Sequence, residues 1–176
     1  MSLGAYSDAL TAPARPRRGR SSTPGLLSLL QSARPQGTTA LAPAIRRYLA
    51  AARRPGPLVI LSDLYDETWR DGVLAASGAR CDVTVIHVLS PEELDPTLEG
   101  ELRLVDDETN HSVDVSMDGD VLERYQAALV DWQTSNASWC SARSVVYVSA
   151  SSAQAPEEFM LGALRTRGVV APLSGA

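Results

Sequence analysis

The chain has no lysine, and all sixteen of its basic residues are arginine. Cysteine is nearly absent, since only Cys81 and Cys140 occur and neither belongs to a Cys-x-x-Cys pair. This usage predicts two free buried thiols in a cytoplasmic protein, with a structural disulfide as the alternative. No apolar run approaches the ~18 residues that a membrane span requires. Residues 1–10 include Asp8 and no long apolar core, so they lack the pattern of a secretory signal.

Several motifs of enzymes and of nucleic-acid-binding proteins are also missing. The two histidines, His87 and His111, have no cysteine or histidine at metal-ligand spacing, which indicates structural or solvated roles. The sequence contains no Ser-His-Asp arrangement, no phosphate-binding glycine loop and no dinucleotide fingerprint. Tryptophan and tyrosine follow helical patterns and are not interleaved with a basic strand. The sequence therefore does not predict a nucleic-acid-binding platform.

Length and composition predict one globular domain. The chain has 176 residues, of which 44% are hydrophobic and 21% are charged, enough for one full core. We assign residues 1–170 to this domain and residues 171–176 to a tail. Residues 1–54 hold nine arginines and one acid, whereas residues 55–176 hold seven arginines and twenty acids, giving formal charges of +8 and −13. Either these are solvated faces of one fold, or the acidic part presents a surface to a partner.

Hydrophobic periodicity predicts an α/β fold with a mostly parallel sheet. Apolar and β-branched runs predict strands at 2–6, 58–61, 81–89 and 144–149. Apolar residues at helical spacing predict helices at about 24–33, 41–52, 69–77, 119–140 and 156–167, the fourth of them capped by Asp118. Residues 11–22 are predicted to form an arginine-rich loop, and residues 91–100 an acidic turn region. Alternating residues on both sides of a polar turn predict a β-hairpin insertion near 101–116.

The segment 57–68 contains the first candidate site. Its apolar run stops abruptly at Ser62 and Asp63, and ligands gather at the carboxyl ends of strands in open α/β sheets. Ser90 and the serines within 149–151 end two further strands, so parallel strands would bring these side chains to one edge. One carboxylate and a few hydroxyls are the hard-oxygen ligands that Mg²⁺ or Mn²⁺ accepts. The set is an incomplete metal site.

Helix capping is the alternative role for the residues of this candidate site. Thr39, in a loop expected to reach the same edge, suits the N-terminus of the second helix. Asp63 lies at a strand end from which its carboxylate can cap the following helix. Asp66 and Thr68 are further candidates for capping the third helix.

The order and spacing of several segments resemble a von Willebrand factor type A domain. The segments are Gly-Thr-Thr-Ala-Leu at 37–41, Leu-Val-Ile-Leu-Ser-Asp at 58–63, His-Val-Leu-Ser-Pro-Glu-Glu-Leu-Asp-Pro at 87–96, Leu-Arg-Leu-Val-Asp at 102–106 and the helix at 122–132. The last three are similar to one bacterial branch, the domain of unknown function 58 family. The resemblance covers about residues 3–167 and implies a three-layer, Rossmann-like sandwich.

The resemblance also implies a metal-ion-dependent adhesion site that is degenerate in this chain. It assigns the threonine ligand to Thr39 and an aspartate ligand to Asp63, for Mg²⁺ or Mn²⁺. The family's Asp-x-Ser-x-Ser loop occurs nowhere in the 176 residues, and Ala40 stands where the family commonly has aspartate. Residues 2–6 align with the strand that follows the family's first helix. We therefore expect an amino-terminally truncated fold that lacks the first strand and is marginally stable alone.

In function, the resemblance implies a non-enzymatic protein-interaction module without a resident cofactor, whose partner is a MoxR-type AAA+ ATPase. Two alternatives are open. Residues 63–68 are similar to the Asp-x-Asp-x-Thr start of haloacid dehalogenase-type phosphatases, in which a carboxylate is the nucleophile. In this alternative Asp63 acts in a Mg²⁺-dependent phosphotransfer, although the second aspartate comes one residue late and the chain has no lysine to follow it. The other alternative is a nonfunctional gene fragment.

Overall fold

The computed structural model describes residues 3–7, 23–33, 38–52, 54–97, 100–106 and 111–171. The whole of the predicted loop at 11–22, residue Gly37, the hairpin turn at 107–110 and residues 172–176 of the predicted tail lie outside the described residues. The elements in chain order are α1 (Thr23–Ser32), α2 (Leu41–Ala51), β1 (Pro57–Ser62), α3 (Trp69–Gly78), β2 (Asp82–Leu89), α4 (Pro91–Leu94), β3 (Gly100–Val105), β4 (Ser112–Met117), α5 (Gly119–Ser141), β5 (Val146–Ser151) and α6 (Pro156–Phe159), followed by a π-helical segment (Met160–Leu164). No helix in these ranges has the length and hydropathy of a bilayer span.

The chain divides into two compact units. The first, here the helical unit, contains α1, α2 and α3 and comprises the described residues of 1–56 and 65–81. The second, here the sheet unit, contains all five strands and α4 to α6 within 57–64, 82–106 and 111–171. The assignment of residues 1–170 to a single domain stays a prediction.

The sheet unit is built on three parallel strands in the order β1-β2-β5. The register pairs Ser62 with His87 and His87 with Ser149, so these three side chains share one face. The opposite face of β2 carries Ile86, which packs with Val148 and others against the α6 region through a buried core residue, Leu164. The prediction of an α/β class with a parallel sheet is confirmed.

Antiparallel strands β3 and β4 form a separate two-stranded sheet. Their register pairs Leu102 with Val115 and Leu104 with Val113. This confirms the predicted hairpin near 101–116. Because alternate residues of a strand point to opposite faces, the four aliphatic side chains lie on one face of the hairpin.

In the helical unit, α2 and α3 pack against each other at a glycine. A Cβ atom added at Gly72 would lie 3.3 Å from the Cα of Ala42 and 3.3 Å from the Cγ of Leu41. The buried positions on the two helices are Leu41, Ala42, Ala44 and Ile45 on α2 and Trp69, Gly72, Val73 and Ala76 on α3. The absence of a side chain at Gly72 therefore allows the close approach of the helices.

Three details differ from the sequence predictions. Of the strand predicted at 2–6, the described residues contain only a single bridge position at Tyr6. The acidic turn region contains a short helix, α4, because Ser90 and Glu93 form a reciprocal capping box. The last helix is not uniform, since α6 widens into a π-helical segment. Asp118 caps α5 as predicted, its Oδ1 accepting a hydrogen bond of 2.9 Å from the backbone N–H of Val121.

Candidate functional site

The carboxyl ends of β1, β2 and β5 carry the polar residues that the sequence predicts there. Three serine hydroxyls at this edge accept a hydrogen bond from a backbone N–H two or three residues later, whereas Ser149 Oγ accepts one of 3.3 Å from Gln133 Nε2 on α5. Ser62 Oγ accepts from Leu64 at 3.1 Å, Ser90 Oγ from Glu93 at 3.1 Å, and Ser151 Oγ from Ala153 at 3.3 Å. The three hydroxyls thus shape the turns that leave the strands.

In the turn after β1, an exposed aspartate is followed directly by a buried leucine. Asp63 is exposed, whereas Leu64 is buried and has a φ of 59°. A left-handed conformation is uncommon for a residue with a side chain, so it persists where the surroundings enforce it. Here the hydrogen bond to Ser62 and the burial of the Leu64 side chain both stabilise the turn.

A buried histidine, His87, lies on β2. In the strand register it pairs with Ser62, the last residue of β1. His87 is fully buried, and its Nδ1 lies 2.5 Å from the hydroxyl oxygen of Tyr147 on β5. The ring of Trp132 on α5 meets the imidazole edge-on, with ring centroids 4.7 Å apart. This burial agrees with the expected structural role of His87, which stays a prediction. The partner Tyr147 was not anticipated, because only the strand register brings residues sixty positions apart together.

Burial controls the protonation of this pair. It lowers the pKa of His87, while a backbone hydrogen bond involving Asp63 and the negative charges of Asp63 and Glu93 oppose the shift. Burial also raises the pKa of Tyr147 to about 12. At neutral pH the phenol keeps its proton and the imidazole is neutral, so we assign the Tyr147 O–H as donor to Nδ1. The imidazole proton then resides on Nε2.

In the helical unit, the N-terminus of α2 is capped by residues distant in sequence. Asp66 Oδ2 accepts a hydrogen bond of 2.5 Å from the backbone N–H of Leu41, and Thr68 Oγ1 one of 3.3 Å from that of Ala42. Asp66 Oδ1 and Oδ2 also accept from the backbone N–H and hydroxyl of Thr68, at 2.8 and 2.9 Å. The carboxylate satisfies a free N–H at the positive end of the helix dipole.

This arrangement corrects two capping predictions. The N-cap position of α2 is Ala40, without a side-chain capping bond, so Thr39 is not its N-cap residue. Thr68 is the N-cap residue of α3 but makes no side-chain bond to that helix. Asp66 and Thr68 instead bond to α2. The local sequence indicates that Asp66 caps a helix. It does not indicate that the capped residue is Leu41, 25 residues earlier in the chain.

The two predicted metal ligands lie in different units. Thr39 is half-buried just before α2, in the helical unit, and Asp63 is exposed after β1, in the sheet unit. Within the part of the chain that the structure describes, no group of three or more His, Cys, Asp or Glu side chains is arranged to hold a metal ion. The strand ends contribute one charged oxygen ligand, Asp63, and hydroxyls engaged in local turns. This donor set does not fit the near-octahedral oxygen shell of Mg²⁺.

The sequence predicts two free, buried thiols. The prediction is correct for the absence of a disulfide and for the burial of one of the two cysteines. Neither forms a disulfide. Cys140 is buried on α5, whereas Cys81 is only half-buried before β2.

Comparison with known proteins gives one family. The model of the family described as "Protein of unknown function DUF58" matches residues 1–135, which end within α5. Strand β5 and α6 follow the matched region. Searches of the curated proteins and of the solved structures gave no significant match.

Proposed function

Because the chain belongs to the DUF58 family, whose function is unknown, we propose that it is a non-enzymatic protein-interaction module. The observation that carries this proposal is the character of strand β1. In the described part of the sheet it lies at the edge and pairs only with β2. Its sequence, Pro-Leu-Val-Ile-Leu-Ser, contains no charged residue.

The free edge of strand β1 has the properties of an edge that pairs with a further strand. Its side chains Val59 and Leu61 are 44% and 59% exposed. Edge strands of monomeric proteins usually carry charges, bulges or prolines that prevent such pairing. In β1 the only such residue is Pro57, at its first position. Partner strands added to an exposed edge gain main-chain hydrogen bonds and bury alternate side chains.

The resemblance to a von Willebrand factor type A domain adds a reason for this open edge. In such a domain, the strand that carries the Asp-x-Ser-x-Ser loop would lie next to β1. The Asp-x-Ser-x-Ser loop occurs nowhere in the 176 residues, and we propose that a second protein covers the edge. The position of β1 at the edge of the described sheet supports this proposal.

The proposed partner is a MoxR-type AAA+ ATPase in the cytoplasm. The net charge of −5 supports a protein partner over nucleic acid, because negative surfaces repel phosphate backbones. The test is direct binding of the immobilised chain to the purified ATPase encoded in the same genome, with and without ATP, by biolayer interferometry. Saturable binding supports the assignment, and no binding in either nucleotide state overturns it.

The resemblance assigns Thr39 and Asp63 as the remaining ligands of a degenerate metal site, and we propose that these residues no longer hold a divalent cation. The single exposed carboxylate at the end of β1 supports weak or no divalent binding. Isothermal titration with Mg²⁺ and Mn²⁺ is expected to give no heat of binding in the millimolar range. Millimolar or tighter binding that is lost in Asp63→Ala would show that the site is functional.

The phosphotransfer alternative assigns catalysis to Asp63 with Asp66 as the second carboxylate. The three hydrogen bonds that Asp66 accepts support a structural role for it instead. Hydrolysis of p-nitrophenyl phosphate with Mg²⁺ is therefore expected to stay at the level of Asp63→Asn. Activity that is abolished by this substitution would overturn the non-enzymatic proposal.

A further inference from the structure

The β3–β4 hairpin has one apolar face, half of which is open to solvent. This face, here the hairpin apolar face, consists of Leu102, Leu104, Val113 and Val115, which pair across the two strands. Leu104 is 51% exposed and Val113 is 59% exposed. Leu102 and Val115 are half-buried. The four side chains form two adjacent rows of aliphatic groups.

The opposite face of the hairpin is polar. Arg103 Nη2 donates a hydrogen bond of 3.0 Å to Ser112 Oγ, and Arg103 Nε lies 4.0 Å from Asp114 Oδ1. These groups bond to one another across the strands. Two-stranded hairpins are marginally stable in water unless a further element packs on their apolar face. The hairpin apolar face is thus the side on which another element gains most by packing.

The surroundings of this face are strongly acidic. The described residues of the sheet unit contain fourteen carboxylates and five arginines, a formal net charge of −9. The carboxylates beside the hairpin apolar face are Asp106, Asp118 and Asp120 in the flanking residues, whereas Glu101 and Asp114 lie on the polar face of the hairpin. A surface with an aliphatic centre and a negative rim is complementary to an apolar stripe flanked by positive charges.

We propose that the hairpin apolar face is the docking surface for a basic amphipathic helix of the protein partner. The inference deepens the proposed interaction function and rests on it. Successive side chains on one face of a strand are about 6.8 Å apart, and helical residues i and i+4 are about 6 Å apart along the helix. An aliphatic stripe on a helix therefore matches the rows of the hairpin. Arginines or lysines beside the stripe then meet the acidic rim.

The test uses synthetic peptides and fluorescence anisotropy with the full chain. The first peptide is a helix of about eighteen residues with leucines at i, i+4 and i+7 and arginines on both sides of the stripe. A second peptide has glutamate in place of every arginine, and a third is a scrambled version of the first. We expect saturable binding of the first alone, weakening as salt concentration rises.

The variants identify the surface. Leu104→Ser combined with Val113→Ser is expected to weaken binding about tenfold or more, since it removes the exposed aliphatic contacts. Val105→Ser is the matched control, because Val105 is 59% exposed but lies on the polar face of the hairpin. It is expected to bind as the unsubstituted chain does. Circular dichroism and melting temperature establish that each variant is folded.

Three outcomes of the peptide and sedimentation experiments would overturn the inference. They are equal binding of the acidic peptide, equal losses for the control and the double variant, and a dimer that sedimentation shows to dissociate in the double variant. The last result would identify a second copy of the chain as the occupant. If the double variant binds the AAA+ ATPase normally, the docking surface is wrong and the interaction function survives. Absence of any ATPase binding counts against the proposed partner, which the peptide experiment does not test.

Discussion

The hydroxyl of Tyr147 lies 2.5 Å from Nδ1 of His87. Both residues are buried, on adjacent parallel strands whose register places them diagonally on the same face. A buried hydrogen bond of this kind contributes through the penalty that its absence would impose. The pair therefore stabilises the part of the sheet that precedes the exposed Asp63, and the first two predictions concern it.

Removing the hydroxyl of Tyr147 is expected to destabilise the fold. Tyr147→Phe leaves Nδ1 of the buried His87 without its partner, at a cost of about 1–3 kcal/mol in the free energy of unfolding. Tyr125→Phe is the matched control, since its hydroxyl donates to the backbone carbonyl of Glu93 at a half-buried position. We expect a smaller loss there. Urea denaturation measures both, and equal losses would contradict the role assigned to the pair.

Stability is expected to fall as the pH decreases below about 6.5, the usual pKa of histidine. Burial lowers the pKa of His87 in the folded chain, so the unfolded chain binds a proton first. The contribution of neutral His87 to the free energy of unfolding is therefore complete above that pH. Below it, the free energy of unfolding decreases by up to about 1.4 kcal/mol per pH unit until the pKa of His87 in the folded chain is reached. Urea denaturation at a series of pH values from neutral to mildly acidic measures the slope.

Two glutamine variants assign this slope to one residue. His87→Gln is expected to abolish the slope between neutral and mildly acidic pH, whatever its effect on overall stability. His111→Gln, at an exposed position, is expected to keep it. A slope that persists in His87→Gln would show that another group controls the pH dependence.

Asp66 is expected to stabilise α2 from a distance. Asp66→Ala removes the acceptor of the Leu41 N–H and should lower the free energy of unfolding by about 1–2 kcal/mol. Glu67→Ala, at the exposed neighbouring position, should change it by no more than about 0.5 kcal/mol. Thermal or chemical denaturation distinguishes the two. Equal effects would mean that the carboxylate of Asp66 contributes little as a cap.

Two glycines of α3, Gly72 and Gly78, allow a matched test of how closely α2 packs against α3. Gly72→Ala places a methyl group 3.3 Å from the Cα of Ala42, which should cost about 1–3 kcal/mol of stability. A Cβ added at Gly78 meets nothing within 4 Å, so Gly78→Ala should be neutral or stabilising by up to about 1 kcal/mol. Denaturant midpoints of the two variants measure the difference. If Gly72→Ala is equally neutral, the helices are less closely packed than described.

The sequence predicted those features that depend on neighbouring residues. The apolar run at 58–61 gave β1 to within one residue at each end, but such a run predicts a strand buried on both faces, whereas Val59 and Leu61 of this edge strand are exposed. The hairpin and the N-cap Asp118 were predicted for the same local reason. Of the strand predicted at 2–6, the described residues contain only the bridge at Tyr6, because strand propensity depends on how each side chain packs against neighbouring strands.

The contacts of the site depend on tertiary structure and were not predictable in this way. Nothing in the local sequence of His87 indicates that Tyr147 is its partner. In the same way, the sequence Asp-Glu-Thr at 66–68 suits a cap for α3, yet its side chains bond to α2. The position of Asp63 at a strand end was predicted correctly, because it follows directly from where the apolar run stops.

The central claim is that the uncharged edge strand β1 binds a partner protein. The most direct measurement compares the affinity of the MoxR-type ATPase for the unsubstituted chain, for Leu61→Arg and for Leu74→Arg, by biolayer interferometry. Leu61 and Leu74 are 59% and 47% exposed, but Leu74 lies on α3. We predict that Leu61→Arg weakens binding about tenfold or more and that Leu74→Arg leaves it unchanged. Equal affinity of all three chains would contradict the claim.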